Sequence, residues 1–295
     1  MESKEMPVWN SEFSQEAIEL TQPEIGLKLI ATVDPRGWPH ITMISFNRAK
    51  TPTQVVWGQF TEGTSKKNVL ENPKQGIFYM NAAMPFKFVQ VKADFDYTKE
   101  GGEDCEQFSR GALFRYMTYA NVHRCYYNKV IGVTKVRDLP VSGIIKGFLT
   151  DLIAAGGTKS QKPKTKLPEY GCEIFNQMTS AKVISFIDND GYPLIIPCFG
   201  LRAPDHSKLV FPLSQFGQEL AQVPKEANVA AFVVVSENLE LTNIHVNGTF
   251  TGFRKSRGFR FGIIEIDEVY NSMPPLHGII YPEIQSRPKV TDFHL

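Results

Sequence analysis

The chain lacks most of the features that assign a function directly. Its 295 residues carry 32 basic and 31 acidic side chains, a formal net charge of +1. No basic surplus is available to hold a polyanion, so nucleic acid is not an expected partner. Only four cysteines occur, Cys105, Cys125, Cys172 and Cys198. None forms a C-x-x-C pair, which removes zinc ribbons and thioredoxin-type motifs, and scattered reduced thiols acting as small buried hydrophobes are expected. There is no H-E-x-x-H or comparable metal motif, and no Ser-His-Asp or Cys-His arrangement can be named from spacing. No apolar run approaches the ~20 residues of a membrane span. Met1 to Glu16 is polar and mixed in charge, without the apolar core of a secretory leader. A cytoplasmic protein with no membrane partner is the expectation.

What is present is a globular composition, 42% hydrophobic and 21% charged, and a long-period repeat. Leu29-Ile30-Ala31-Thr32-Val33 runs into the turn Asp34-Pro35-Arg36-Gly37, then into a second apolar run, Ile41 to Phe46, a loop, and Val55-Val56-Trp57. Val183-Ile184-Ser185-Phe186-Ile187 runs into Asp188-Asn189-Asp190-Gly191, then Leu194-Ile195-Ile196, a polar loop, and Leu209-Val210-Phe211. Superposed without a gap, Gly37 falls on Gly191, Pro39 on Pro193 and Ile77-Phe78 on Ala231-Phe232. One residue of slip then sets Val89-Gln90-Val91 on Ile244-His245-Val246, and the last strands, Gly132 to Val136 and Gly262 to Ile266, also correspond. A period of about 150 residues is the size of a domain, so the chain reads as a duplicated domain and not as a solenoid.

Each copy predicts a helix, about six strands rich in Val, Ile, Phe and Thr, and one short helix between strands. So many short strands favour a closed antiparallel barrel, which leaves no free sheet edge. The predicted boundaries are 1–140 for copy one, 141–168 for a linker and 169–295 for copy two. Copy one carries an insert, 99–127, with helical spacing from Glu103 to Ala120 that packs as core or closes over a site.

The strongest site signal is the segment from Gln59 to Pro73, which follows a strand and opens a helix. Thr61, Thr64 and Ser65 place hydroxyls where backbone N–H groups lack partners. Lys66 and Lys67 stand in the first turn, where the helix dipole disfavours cations. The combination suits an anion docked at that end; a capped surface helix with two solvated lysines is the competing reading. The matching stretch of copy two, Ser214 to Leu220, has no lysine. His40 and His123-Arg124 are further candidates near a site.

Ala31-Thr32-Val33-Asp34, Gly37-x-Pro39, Thr61-x-x-x-Ser65-Lys66 and the closing Asn72-Pro73 together resemble the pyridoxamine 5'-phosphate oxidase-like, FMN-binding split-barrel family. The resemblance implies a mainly β chain of two tandem six-stranded antiparallel split β-barrels with short flanking helices. Members normally pair as homodimers with FMN at the interface; here the second copy would supply the second barrel, an intrachain pseudo-dimer with a further homodimer left open. It implies one FMN per chain, with Thr61, Thr64, Ser65, Lys66 and Lys67 on the phosphate, and oxidoreductase chemistry on a small-molecule substrate or electron donor. Three positions depart from the oxidases: Thr42 stands where they carry Arg, Asn47 where they carry Lys, and Lys87 where they carry a cofactor-touching Gln. Lys87 is then expected to replace a lost contact, and true pyridoxamine-phosphate oxidase activity is not expected. A non-enzymatic carrier of flavin or haem and a deazaflavin-dependent reductase are the alternatives.

Overall fold

The computed structural model describes residues 6–59, 63–111, 121–139, 164–213, 215–237, 240–256, 259–271 and 278–282. The first half contains β1 (Trp9–Asn10), α1 (Gln15–Thr21), β2 (Gly26–Val33), β3 (Pro39–Met43), β4 (Asn47–Thr51), β5 (Gln54–Gln59), α2 (Thr64–Glu71), β6 (Lys74–Asn81), β7 (Lys87–Glu100), α3 (Glu103–Ser109), β8 (Arg124–Thr134) and β9 (Arg137–Asp138). The second contains α4 (Glu169–Asn176), β10 (Ala181–Ile187), β11 (Pro193–Pro197), β12 (Arg202–Asp205), β13 (Lys208–Pro212), α5 (Gly217–Leu220), β14 (Asn228–Glu237), β15 (Glu240–Ser256), β16 (Phe259–Asn271) and β17 (Gly278–Tyr281).

Strand order in the first sheet is β3-β2-β6-β7-β8-β5-β4, and in the second β11-β10-β14-β15-β16-β13-β12. The two orders are one permutation used twice. Local chemistry repeats with it. Both β2–β3 and β10–β11 turn on an Asp whose carbonyl accepts from a glycine N–H, Gly37 to Asp34 at 2.8 Å and Gly191 to Asp188 at 2.9 Å. Both glycines have φ near +80°, at +79° and +83°, a region that side chains with a Cβ rarely adopt.

Seven strands lie along each path where six were expected, and the reason is a bend. β3 and β4 sit at opposite ends of the first sheet, yet only Ile44, Ser45 and Phe46 join them. Four Cα–Cα steps reach at most ~15 Å, whereas six strand spacings across a flat sheet would separate the ends by ~29 Å. The sheet must therefore curl until its ends meet. The linking residues pair with both ends: Ile44 N–H donates to Lys28 of β2 at 3.0 Å, and the Phe46 carbonyl accepts from Gly58 of β5 at 2.7 Å. Counted as one bent strand, β3 and β4 restore six. The second half bends in the same place, where Cys198 N–H donates to Lys182 at 2.8 Å.

A buried lysine supports each bend. Lys28 donates to the carbonyls of Thr21, at the end of α1, and Asn47, at the start of β4, both at 2.8 Å. Burial lowers its pKa to about 8. Lys182 does the same between Gln177 and Phe199, at 2.7 and 3.2 Å. A cation at a helix C-terminus also complements the dipole.

Each barrel has its own core, the first centred on Trp57 stacked 3.9 Å from Tyr126 and the second on Phe186, Phe211 and Phe250. A third cluster joins them, with Leu29, Ala31, Ile41 and Phe78 meeting Val183, Ile195, Ala230 and Phe232. The unbroken apolar run of β2 now has its explanation. Ile30 points into the barrel while Leu29 and Ala31 point into the seam, so both faces of the strand are buried. At the tightest approach, β6 passes β11 so closely that a Cβ on Gly76 would overlap the Pro193 carbonyl.

The insert is shorter than the spacing implies. β7 and β8 pair as far as Glu100 with Arg124, which leaves 101–123 between them. α3 ends at Ser109, ahead of Gly111; the rest of the expected helix, 112–120, lies outside the described residues. α3 buries Cys105 and Phe108 against Val56, Val122 and Tyr127 on the outer side of β5 and β8. All four cysteines are free and buried. Among the described residues no helix is long and apolar enough to cross a membrane.

Candidate functional site

The start of α2 lies at the seam between the barrels, and the chain prepares it in an unusual way. Gly63 precedes the helix in extended conformation and offers no side-chain cap, and no acidic residue stands in the first turn. An absent cap commonly costs a helix ~1 kcal/mol. Lys66 nevertheless occupies that turn and is 9% exposed. Its ammonium folds back over the helix start, 3.5 Å from where a Cβ on Gly63 would sit. A cation thus stands where the helix dipole alone would disfavour it.

Hydroxyls complete the surroundings. Ser65, 2% exposed, sits 2.7 Å from the Thr42 hydroxyl on β3. Asn68, one turn on, donates to Thr32 of β2 at 2.9 Å and fixes the helix on the barrel. From the second barrel, the Tyr270 hydroxyl reaches Thr64 at 3.3 Å.

Behind Tyr270 lies a pair of histidines, one from each barrel. The rings of His40 and His245 are 4.7 Å apart, and Tyr270 stands edge-on to His40 at 5.0 Å. Desolvation lowers the His40 pKa to about 4 and holds that of His245 well below the usual imidazole range. Both rings are neutral at pH 7. Neither ring nitrogen of His245 has a hydrogen-bond partner among the described residues. Above the pair, Arg36 bridges Asp34 of its own barrel, at 2.6 Å, and Glu268 of the other, at 3.0 Å.

The structure sorts the residues singled out in the sequence. Thr64, Ser65 and Lys66 come together at the start of α2; Lys67 is on the exposed side of the same turn. Thr61 lies outside the described residues. Lys87 is elsewhere. It sits level with the Gly26 end of β2, six residues or ~20 Å along the strand from the Thr32 that holds α2. There it pairs with Glu16 of α1 at 2.9 Å, because the loop before β7 delivers it to the opposite rim; it is not a contact of the α2 site. Of the other departures, Thr42 joins the site through Ser65, while Asn47 is fully buried in the barrel and accepts from Tyr79 at 2.6 Å. His40 is at the seam; His123 is exposed and Arg124 pairs with Glu100.

Tyr270 and His245 are not legible in the sequence as site residues. His245 leaves one trace: it falls on Gln90 in the repeat, and both are polar positions in otherwise apolar strands. Tyr270 leaves none.

No family model matches the chain, and no curated protein does. Its neighbours among solved structures are FMN-binding and pyridoxamine 5'-phosphate oxidase-like proteins. An FMN-binding protein from Syntrophomonas wolfei subsp. wolfei is 14% identical, with a TM-score of 0.37, over 42% of this chain and 86% of that one. A putative pyridoxamine 5'-phosphate oxidase from Lactobacillus delbrueckii is 16% identical, with a TM-score of 0.33, over 43% and 96%. An F420 reductase is 15% identical, with a TM-score of 0.30, over 42% and 98%. Within the chain one strand permutation, closed by a bent strand, occurs twice. The chain is a tandem split barrel. In this tandem split barrel the α2 site is composite, since copy one supplies the helix start and Thr42 while copy two supplies Tyr270 and His245.

Proposed function

We propose that the tandem split barrel is a flavoprotein that binds one FMN per chain, with the phosphate at the start of α2 and the remainder along the seam, and that it acts as an oxidoreductase on a small molecule. One observation carries the reading: a first turn with glycine at its cap and no acidic residue, over which the Lys66 ammonium folds back. These residues fit a phosphate monoester. Ser65 offers a hydroxyl, a helix start carries N–H groups without intrahelical partners, and Lys66 supplies the charge that a dianion requires. Bound FMN would supply hydride and electron transfer. Lys66 and Ser65 would hold and orient the phosphate, Tyr270 would hold Thr64 in place from the other barrel, and the joined barrels would exclude water from one side.

The absorption spectrum of the purified protein tests the assignment. Bands of oxidised flavin, released as FMN by heat at about one equivalent per chain, support it. A Soret band replaces it with haem carriage, a deazaflavin spectrum with the other coenzyme, and a colourless protein that takes up no added FMN overturns it. Bleaching by a reduced nicotinamide and reoxidation by air or an added acceptor test the oxidoreductase part separately.

A further inference from the structure

His40 and His245 close a corner of the seam that the repeat does not reproduce on its other side. His40 is on β3 of the first barrel and His245 on β15 of the second, 7% and 0% exposed. Their rings lie 4.7 Å apart, and Tyr270 stands edge-on to both, 5.0 Å from His40 and 6.1 Å from His245. Nothing here is arranged to hold an added proton. Both nitrogens of His245 are without a partner among the described residues. The charged groups near the pair on the packed elements are Asp34 and Arg36 of the β2–β3 turn, Glu268 of β16 and Lys66 of α2. Arg36 already spans both carboxylates, at 2.6 and 3.0 Å. β10 and β14 bring Val183, Ala230 and Phe232 to the seam.

The superposition that pairs Gly37 with Gly191 sets His40 on Leu194, and after the slip His245 falls on Gln90. The other crossing therefore has no imidazole, and a fixed ion pair spans it, Arg137 donating to Glu219 at 2.5 Å. The titratable crossing is the one beside α2. A proton on either ring buries a charge without an acceptor, and protons on both set like charges face to face. Water relieves this, and it reaches the rings when the barrels part.

We propose that His40 and His245 form an acid-operated gate on the α2 site: protonation of the pair parts the barrels at this corner, withdraws Tyr270 from Thr64 and releases the phosphate-bearing ligand. The release rests on the reading of α2 as a phosphate site; the parting does not.

The experiment is hydrogen–deuterium exchange of the full chain without ligand at pH 7 and pH 5, corrected for intrinsic exchange, beside the rate at which bound FMN dissociates. The wild type is compared with His40→Leu combined with His245→Gln, each residue borrowed from the matching position of the other copy. With an imidazole pKa of 6.5 in the open form and about 4 in the closed one, opening at Thr64 and Tyr270 should increase roughly 20-fold through His40 alone. The double variant should change less than about threefold, and so should the segment around Leu194 in either protein. FMN should leave the wild type faster at pH 5 by a similar factor; protonation of its phosphate affects both proteins alike. His245→Gln alone serves if the double variant does not fold, and should lessen the increase. Exchange that ignores pH, rises equally in the variant, or rises equally around Leu194 as in general acid unfolding, overturns the gate. The two readings separate. A wild type that opens in acid but takes up no FMN keeps the gate and loses the flavin; one that binds FMN and does not open does the reverse.

Discussion

The hydroxyl of Tyr270, near the end of the last long strand of the second barrel, stands 3.3 Å from the hydroxyl of Thr64, the first residue of α2 in the first barrel. The candidate site is thereby tied to the seam. Anything that loosens the seam should reach the ligand through this contact.

Lys66 and Lys67 are adjacent in sequence but not equivalent. Lys66 is buried at the helix start and Lys67 is exposed. A hydrogen bond to a charged group is worth roughly 1.5–3 kcal/mol and a solvated charge much less. Lys66→Ala should weaken FMN binding at least ~10-fold, and Lys67→Ala only a few-fold, in a fluorescence-quenching titration. Equal losses would mean that the phosphate is not seated at the buried turn.

Tyr270→Phe removes one hydroxyl and no packing. FMN affinity should fall ~3- to 10-fold, as for a neutral hydrogen bond, while the melting temperature stays within a few degrees. The reverse pattern, a large melting shift with affinity unchanged, would make the Thr64 contact structural only.

His40 makes the fold sensitive to acid. Its pKa drops from 6.5 to about 4 on burial, so the unfolded chain binds more protons than the folded one between those values, and stability rises with pH across that window. The contribution is fully present above pH 6.5 and is lost as pH falls through 4. A tenfold change in proton affinity is worth ~1.4 kcal/mol, so ~3 kcal/mol depends on this residue, and His245 acts in the same direction. Urea unfolding from pH 7 to 4 should show a smaller loss for His40→Asn than for the wild type. That difference isolates the histidine from carboxylates titrating in the same range.

Gly76→Ala tests the seam directly. The added methyl would overlap the Pro193 carbonyl, and a backbone atom in the other barrel cannot rotate away as a flexible side chain can. Overpacking of this kind costs ~1–3 kcal/mol or more, so the urea midpoint should drop clearly. By the link through Tyr270, FMN affinity should fall with it. Ala230, the matching residue of the second copy, already carries that methyl, so Ala230→Gly should be far milder.

Much of the fold is legible because its signals are local. The turn glycines, the apolar strands and the helix before Pro73 follow from neighbours a few residues apart, and the repeat makes each half evidence for the other. The bend at Ile44 to Phe46 reads only as the end of one apolar run, because nothing in those three residues announces that they bridge two ends of a sheet. Thr64, Ser65 and Lys66 are legible for the same local reason, a helix start with the wrong charge for its dipole. Lys87 is misplaced by sequence, since its expected position comes from matching a strand and not from where the loop at Met84-Pro85 delivers that strand.

By itself, then, the sequence determined the strands, the turns, the duplication and the basic helix start, all of which follow from short-range spacing and from comparing the chain with itself. Tertiary structure decided how the barrels close, which face of β2 meets the seam, and that Tyr270, His245 and Arg137 cross it. The physical reason is separation. Thr64 and Tyr270 are 206 residues apart, and no local periodicity records a contact that forms only when two closed sheets bury their apolar faces against each other.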